Sequence, residues 1–467
     1  MKVAFFSSEV FPFAKTGGLA DVSGALPKAL SELGLEVKVF MPLYKNIKPE
    51  VLSESFGETK VSNSMEIIFI KNDEFYLRDY LYNTPEGDYP DNLERFSFFC
   101  RKSLEILKEI NFSPDILHCN DWQSSLVPVY LKSLYKNDPF FKKARSVLTV
   151  HNLAFQGYFP LDKFGIIGID EGNKADLEIY GRINLLKGGL ISSDRINTVS
   201  PSYAEEIQTE EFGCGLDAVL RENKEKLSGI LNAVDYEVWS PETDASIYHK
   251  YNFGSLKEKI ENKLSLQKEF GLSKGRDKFL IGMVTRLAEQ KGVDILAESL
   301  PEILKKYQVV ILGTGEPKYH RILSSLVESY PENFSLHLKF DETLAHKIYA
   351  SSDVFLMPSR FEPCGLSQLI SFKYAVLPLV KATGGLKDTV TDCISDPQSG
   401  TGFVFTEYSA KALIEKADQA YNLFQDKSNW RLLQQRVSAL NFSWEETAKK
   451  YLSLYGQVAG TGLSPVL

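Results

Sequence analysis

The stretch 15-KTGGLAD-21 sets a lysine just ahead of a Gly-Gly pair, and 383-TGGLKD-388 nearly repeats it towards the other end of the chain. Each copy follows an apolar run and precedes an amphipathic segment, so each reads as a turn from strand to helix. At such turns glycine lets backbone N–H groups and a helix N-terminus approach an anion. Two such loops facing one another would hold a phosphorylated ligand, with Lys15 adding charge beside the first. In 284-VTRLAEQKG-292, Arg286 and Lys291 also follow a strand-like run. Arg can grip phosphate oxygens bidentately while Lys supplies a compact charge, so this pair could carry a diphosphate without metal. The two reach one rim only if the loop turns between them. The run 313-GTGEP-317 is a third glycine turn after a strand, but it lacks the dinucleotide fingerprint and its acidic ribose partner. Taken singly, each feature is equally a solvated loop. Their recurrence at strand ends is what argues for a ligand.

Positioning such loops requires strands that alternate with helices. In the first half 3-VAFFSS-8, 37-VKVFM-41, 116-ILHCN-120, 146-SVLTV-150 and 196-INTVS-200 read as strands. In the second, 279-FLIGMV-284, 309-VVILG-313, 335-SLHLKF-340, 353-DVFLMPS-359 and 376-VLPLV-380 repeat the scheme. Val22, Ala25, Leu26, Ala29, Leu30 and Leu33 recur at helical spacing, with Pro27 expected to kink that helix or to mark its first turn. Alternation of this kind implies two doubly wound, Rossmann-like α/β domains with parallel sheets, facing one another. The chain should pass between them within 239–255, followed by a helix ending at Gly271. Residues 50–112 are acidic and aromatic-rich with no clean period, and read as an excursion of strands and loops. The last eight residues read as a loose tail.

A length of 467 residues favours two domains, each large enough for its own core. With 43% hydrophobic and 24% charged residues the composition is that of a globular protein. A net charge of -8 argues against a nucleic-acid binder, which would gather basic residues on one face. Five cysteines, at 100, 119, 214, 364 and 393, are few and scattered, which fits a reducing compartment such as the cytoplasm. There is no signal-peptide pattern and no apolar run long enough to span a membrane. The six histidines show no HExxH or Cys/His ligand spacing, and no GxSxG elbow is present.

The motifs together resemble those of bacterial glycogen synthases and plant starch synthases, glycosyltransferases of the GT-B fold. The resemblance runs nearly end to end through 7-SSEVFPFAKTGGLADVSGALPKAL-30, 118-HCNDWQSSLVP-128, 151-HNLAFQG-157, 230-ILNAVDYEVWSP-241, 286-RLAEQKG-292, 358-PSRFEPCGLSQL-369, 383-TGGLKDTV-390 and 442-FSWEETAKKYLSLY-455. It implies two doubly wound Rossmann-like domains facing a deep cleft, with an N-terminal domain over 1–240, a donor-binding domain over 241–440 and a C-terminal helix from 441 that crosses back onto the first. It also implies retaining transfer of glucose from ADP-glucose to an α-1,4-glucan, with no cofactor or metal, and cytoplasmic location. By position, Lys15, Gly17 and Gly18 would meet the donor's phosphates and glucosyl unit, and Arg286 and Lys291 would neutralise the leaving diphosphate. His151 would sit against the glucosyl ring, Glu362 would hydrogen-bond the donor sugar, and Asp121 would line the sugar and acceptor side. Asp21, Asn232, Cys364, Gly365, Thr383, Gly384 and Gly385 complete the implied substrate contacts. A non-catalytic glucan-binding protein, or a GT-B enzyme with another donor or acceptor, are the alternatives. The intact Lys15, His151, Arg286, Lys291 and Glu362 speak against the first.

Five positions depart from the family pattern: Asn120 in place of His, Ala233 and Ala375 in place of Gly, Ala288 in place of Thr, and Lys381 in place of Arg. A Gly-to-Ala change adds a methyl and restricts φ, so a tight turn beside Asn232 is expected to shift. Lys381 keeps the charge and loses the bidentate geometry.

Overall fold

The computed structural model of the chain describes residues 1–47, 58–60, 65–84 and 86–461. The excursion expected over 50–112 lies partly, and the tail mostly, outside the described residues. Two compact units divide the chain: Met1–Asn232 with the chain from Trp444 onward, and Ala233–Ser443.

The first unit carries an eight-stranded sheet of β1 (Lys2–Phe6), β2 (Glu36–Pro42), β3 (Glu58–Lys60), β4 (Met65–Ile70), β5 (Ile116–Asn120), β6 (Arg145–Val150), β7 (Arg195–Thr198) and β8 (Leu227–Gly229). Their order is β8-β7-β6-β5-β1-β2-β4-β3, parallel except for β3 against β4. Near-continuous apolar runs suit strands covered on both faces, and Val3, Phe5, Phe6, Ile116, Leu117, Val147 and Leu148 are fully buried. The chain builds outward from β1 to β2 and β4, then returns to lay β5 on the other side of β1. That reversal is a topological switch point, and ligands gather beyond the strand carboxyl ends there.

Helix α1 (Gly18–Glu32) follows β1 and buries Leu19, Val22, Leu26, Ala29 and Leu30. Pro27 lies inside it, past the first turn. The aromatic-rich stretch is more regular than its composition suggests: it supplies β4 and helix α2 (Asn92–Glu109), which buries Leu93, Phe96, Phe99, Cys100, Leu104 and Leu107. Buried polar residues interleave on the same helix, which blurs the apolar period. Among them Arg95 is fully buried, donating to the carbonyls of Phe75 and Leu81 at 2.9 Å each and to Asn92 Oδ1 at 2.6 Å.

The C-terminal helix, Trp444–Ala459, belongs to this first unit. His118 on β5 is held between the Tyr455 hydroxyl at 2.6 Å and Thr149 Oγ1 at 2.7 Å, and Asn197 Nδ2 donates to the Tyr451 hydroxyl at 3.1 Å.

In the second unit six strands, β9 (Leu280–Val284), β10 (Gln308–Leu312), β11 (Phe334–His337), β12 (Val354–Met357), β13 (Leu377–Lys381) and β14 (Phe403–Phe405), form a fully parallel sheet in the order β11-β10-β9-β12-β13-β14. Counted within the unit this is 3-2-1-4-5-6, the doubly wound order of dinucleotide-binding folds, with its switch point between β9 and β12. Helix α3 (Lys259–Glu269) precedes the sheet and closes at Gly271, whose φ of +68° only glycine adopts freely. Among the described residues no helix is long and apolar enough to cross a membrane.

Candidate active site

In the first unit every expected site residue except Asn232 lies just beyond the carboxyl end of β1, β5 or β6, the central strands. Asn232 follows the edge strand β8. Directly after β5, Asp121 has φ +54°, a region that Asp tolerates better than most side chains. This turn aims its carboxylate at β6, where Oδ1 accepts the His151 N–H at 2.7 Å. Burial pushes the Asp121 carboxyl up to about 7, although the His151 and Asn152 amides and their opposing pull favour the charged form. Burial also pushes the His151 imidazole down to about 3, so it is neutral at physiological pH. Its Nε2 is 2.9 Å from Asn120 Oδ1. Asn232 is buried and its Oδ1 has no hydrogen-bond partner among the described residues.

The loop after β1 is held by a residue the sequence reading passed over. Glu9, 3% exposed, accepts from the Thr16 amide, from Thr16 Oγ1 at 2.6 Å and from the Gly17 amide at 3.3 Å. The Tyr82 hydroxyl donates to it at 2.8 Å, and Asn92 Nδ2 on α2 holds the Tyr82 carbonyl at 2.9 Å. Of the residues expected to meet phosphate, Gly17 thus has its amide bound to Glu9, alongside that of Thr16. The amides of Gly18 and Leu19 open α1, where no intrahelical acceptor exists and no side chain caps them. Lys15 is exposed and ion-pairs Asp21 Oδ1 at 2.6 Å. The sequence signal for Glu9 is weak because its side-chain partners come from two separate segments, 16–17 and Tyr82.

In the second unit Lys291 follows β9 and Glu362 follows β12, the strands that flank the switch point. Lys291 Nζ contacts Glu362 Oε1 at 2.8 Å and Oε2 at 2.7 Å, and Ser359 Oγ donates to Oε2 at 2.9 Å. The loop turns as required: the Lys291 amide bonds the Ala288 carbonyl at 3.0 Å, and Gly292 has φ +71°. Arg286 stays exposed, its guanidinium 3.2 Å from Gln290 Oε1. The third glycine turn presses on this loop from the side: a Cβ on Gly313 would lie 1.8 Å from the Thr285 carbonyl oxygen, and one on Gly315 2.2 Å from that of Leu287. Its glycines therefore serve backbone packing.

Beyond β13, Thr383 stands at the residue before the short helix α4 (Gly384–Thr389), and the Gly385 amide donates to the Glu362 carbonyl at 3.1 Å. A Cβ on Gly384 would meet the Glu362 carbonyl oxygen at 2.1 Å, and one on Gly385 that of Cys364 at the same distance. Gly365 has φ +74°, and Gln368 Nε2 ties the Cys364 and Gly365 carbonyls at 3.0 Å each. The two TGG copies therefore differ in kind. A Cβ on Gly17 would find nothing within 4 Å, whereas the second copy is shut against the Glu362 loop. Of the two alanines in place of glycine, Ala375 carries φ +52° and is buried, while Ala233 is not among the positive-φ residues. Lys381 ends β13, and Ala288 opens the turn that carries Lys291. Among the described residues no His, Cys, Asp and Glu cluster has metal-binding geometry.

Comparison with known proteins supplies the family. The starch synthase catalytic domain model matches residues 2–222, and the glycosyl transferases group 1 model matches 266–431. Glycogen synthase 2 of Geobacter sulfurreducens is 43% identical, covering 99% of each chain. Glycogen synthase of Thermotoga maritima is 43% identical over 97% of this chain and 98% of its own. The catalytic domain of starch synthase IV from Arabidopsis thaliana, solved bound to ADP and acarbose, superposes with a TM-score of 0.90 at 33% identity, covering 98% of this chain and 99% of that one. With two parallel-sheet α/β domains of the GT-B type and relatives of this identity over almost the whole chain, the protein is a glycosyltransferase that belongs to the glycogen and starch synthase family.

Proposed function

We propose that the chain transfers glucose from ADP-glucose to the non-reducing end of an α-1,4-glucan, with retention at the anomeric carbon. The observation that carries this reading is the Lys291–Glu362 pair at the switch point of a doubly wound unit, backed by the Gly384–Gly385 turn. In the proposed mechanism Lys291 and Arg286 stabilise the negative charge that grows on the departing diphosphate, where fixed cations outperform reorganising water. Glu362 takes hydroxyls of the donor sugar while it keeps Lys291 in place. The acceptor O4 attacks the anomeric carbon from the face that the leaving group vacates. The C1–O bond to phosphate breaks, and the O4 proton passes to the departing phosphate oxygen. This path needs no covalent enzyme nucleophile, so Asp121 acts by charge beside the oxocarbenium-like centre. His151 contacts the glucosyl ring, and Lys15, Gly17, Gly18, Asp21 and Asn232 line the sugar side. Cys364, Gly365 and Thr383 complete the donor side. Residues 1–240 then carry the acceptor and glucosyl side, 241–440 carry the donor, and the helix from 441 returns to the first domain.

ADP as the bound nucleotide of the Arabidopsis relative supports an adenine nucleotide donor. Five free thiols suit a cytoplasmic location. The test is incorporation of labelled glucose into glycogen from ADP-glucose and, separately, UDP-glucose, with Glu362→Ala and Lys291→Ala as controls. Incorporation from ADP-glucose that collapses in both variants supports the reading. Donor hydrolysis without incorporation rejects the acceptor, and silence on both counts rejects the enzyme.

A further inference from the structure

Asn120 is the last residue of β5 and, beside the switch point, stands between β1 and β6: its neighbour Cys119 pairs with Phe6, and Asn120 itself pairs with Thr149. It is fully buried, and its backbone is pinned at both ends by Ser124, whose Oγ accepts the Asn120 amide at 2.6 Å and donates to its carbonyl at 2.7 Å. The side-chain amide then has one workable orientation. Its Nδ2 donates to the Phe6 carbonyl at 3.0 Å, and flipping it would set Oδ1 against that carbonyl, two acceptors facing one another. Oδ1 is therefore the atom that faces His151 Nε2 at 2.9 Å. An oxygen there can only accept, so Nε2 must carry the proton. In a neutral imidazole the other nitrogen, Nδ1, is then a bare lone pair, and it has no hydrogen-bond partner among the described residues.

We propose that Asn120 is a positioning residue that fixes His151 as the Nε2–H tautomer, so that Nδ1 accepts a hydrogen bond from a hydroxyl of the donor sugar. The second half of this inference rests on the proposed function; the first does not. It assigns a job to a position where the chain departs from its family pattern. A histidine at 120 could do the same work, one ring nitrogen donating to the Phe6 carbonyl and the other accepting from His151.

Nitrogen-15 NMR of histidine-labelled protein tests the tautomer without any substrate, with His151 identified by its loss in His151→Gln. The expected spectrum shows a protonated Nε2 and an unprotonated Nδ1. Asn120→Ala should convert it to a tautomer mixture, and Asn120→His should restore a single Nε2–H form. Nδ1–H in the parent, or an unchanged His151 signal in Asn120→Ala, overturns the assignment. The hydroxyl contact is tested with ADP-glucose analogues singly deoxygenated or singly fluorinated at each hydroxyl. Fluorine accepts weakly and cannot donate, so at the contacted position both analogues should lose about tenfold in kcat/KM, and Asn120→Ala should narrow that gap. A fluoro analogue that retains activity where the deoxy analogue loses it would make His151 the donor and overturn the second half. Absence of any glucose transfer by the parent would reject the proposed function and leave the tautomer result standing.

Discussion

Lys291 and Glu362 form a two-pronged ion pair, with the ammonium 2.8 and 2.7 Å from the two carboxylate oxygens. Their side chains are 18% and 8% exposed, so neither charge can be stripped of its partner without leaving the other largely buried. Lys291→Ala should cost on the order of 2–4 kcal/mol of stability as well as on the order of a hundredfold or more in kcat. Glu362→Gln, which keeps the Ser359 contact, should cost less stability. In the double variant Lys291→Ala, Glu362→Gln the melting temperature should partly recover while transfer stays abolished, a non-additive cycle that separates the two roles.

Asp121 should impose a pH dependence with a midpoint near 7, since burial holds its carboxyl at about 7 in the folded chain. At this group the folded state keeps a proton that the unfolded state has lost, so between about pH 4 and 7 the Asp121 contribution to stability falls as pH rises, read as the difference between the parent and Asp121→Asn, and it flattens above that. Activity should move the other way and rise through pH 7 as the carboxylate that faces positive charge forms. Thermal melts and kcat/KM across pH 5–9 check both. In Asp121→Asn both contributions should vanish. His151, neutral in the folded chain, adds no step to activity, but its unfolded imidazole takes a proton below about pH 6.5, so its own contribution to stability rises with pH up to there and should vanish in His151→Gln.

Glu9 binds the Thr16 and Gly17 amides that a free phosphate would otherwise take. Glu9→Ala should raise KM for the donor by roughly tenfold, since one to two charge-assisted hydrogen bonds that order the loop are lost. It should also make inorganic phosphate a competitive inhibitor, which it is not expected to be for the parent. Glu9→Gln keeps one acceptor oxygen and should stay closer to the parent in KM.

The two glycine turns should separate under the same substitution. Gly17→Ala meets open space at an extended φ of -157°, so the melting temperature should hold and only donor affinity should fall. Gly384→Ala would drive a methyl to 2.1 Å from the Glu362 carbonyl at φ +43°, and should lower the melting temperature sharply and take activity with it.

Ala375 offers a gain. At φ +52° it bears a left-handed backbone that glycine adopts without strain, so Ala375→Gly should stabilise the chain by about 1 kcal/mol. A differential melt settles it, and Ala233→Gly should show no such benefit.

Much of this was legible in the chain because the information was local. Strands such as Ile116–Asn120 and Leu280–Val284 announce themselves by mostly apolar residues, and the expected site residues Asp121, Arg286 and Lys291 lie in the segments that follow them. Helix α2 was not seen because Arg95, Ser97 and Ser103 are buried among its apolar residues, and a polar residue inside the core defeats a pattern built on hydropathy. Glu9 escaped, and Asn120 showed only as a departure from the family pattern with no job attached, for a different reason. Their meaning lies in partners distant in sequence, Thr16 and Tyr82 for one and Phe6 and His151 for the other, and no spacing rule connects those positions. Ala375 was flagged as a departure, but its cost needed the observed φ.

The helix from Trp444 to Ala459 supplies the hydroxyls of Tyr451 and Tyr455 to Asn197 and His118. On the ribosome those two strand residues emerge long before their partners, with the entire second unit, about 200 residues, still to be made. The separations are 254 residues for Asn197 and 337 for His118, so at 5–20 residues per second the wait is on the order of ten to seventy seconds. During it His118 keeps Thr149 but lacks the Tyr455 hydroxyl, and Asn197 lacks that of Tyr451, so a segment made after the whole second unit acts as the latch that completes the first domain to appear.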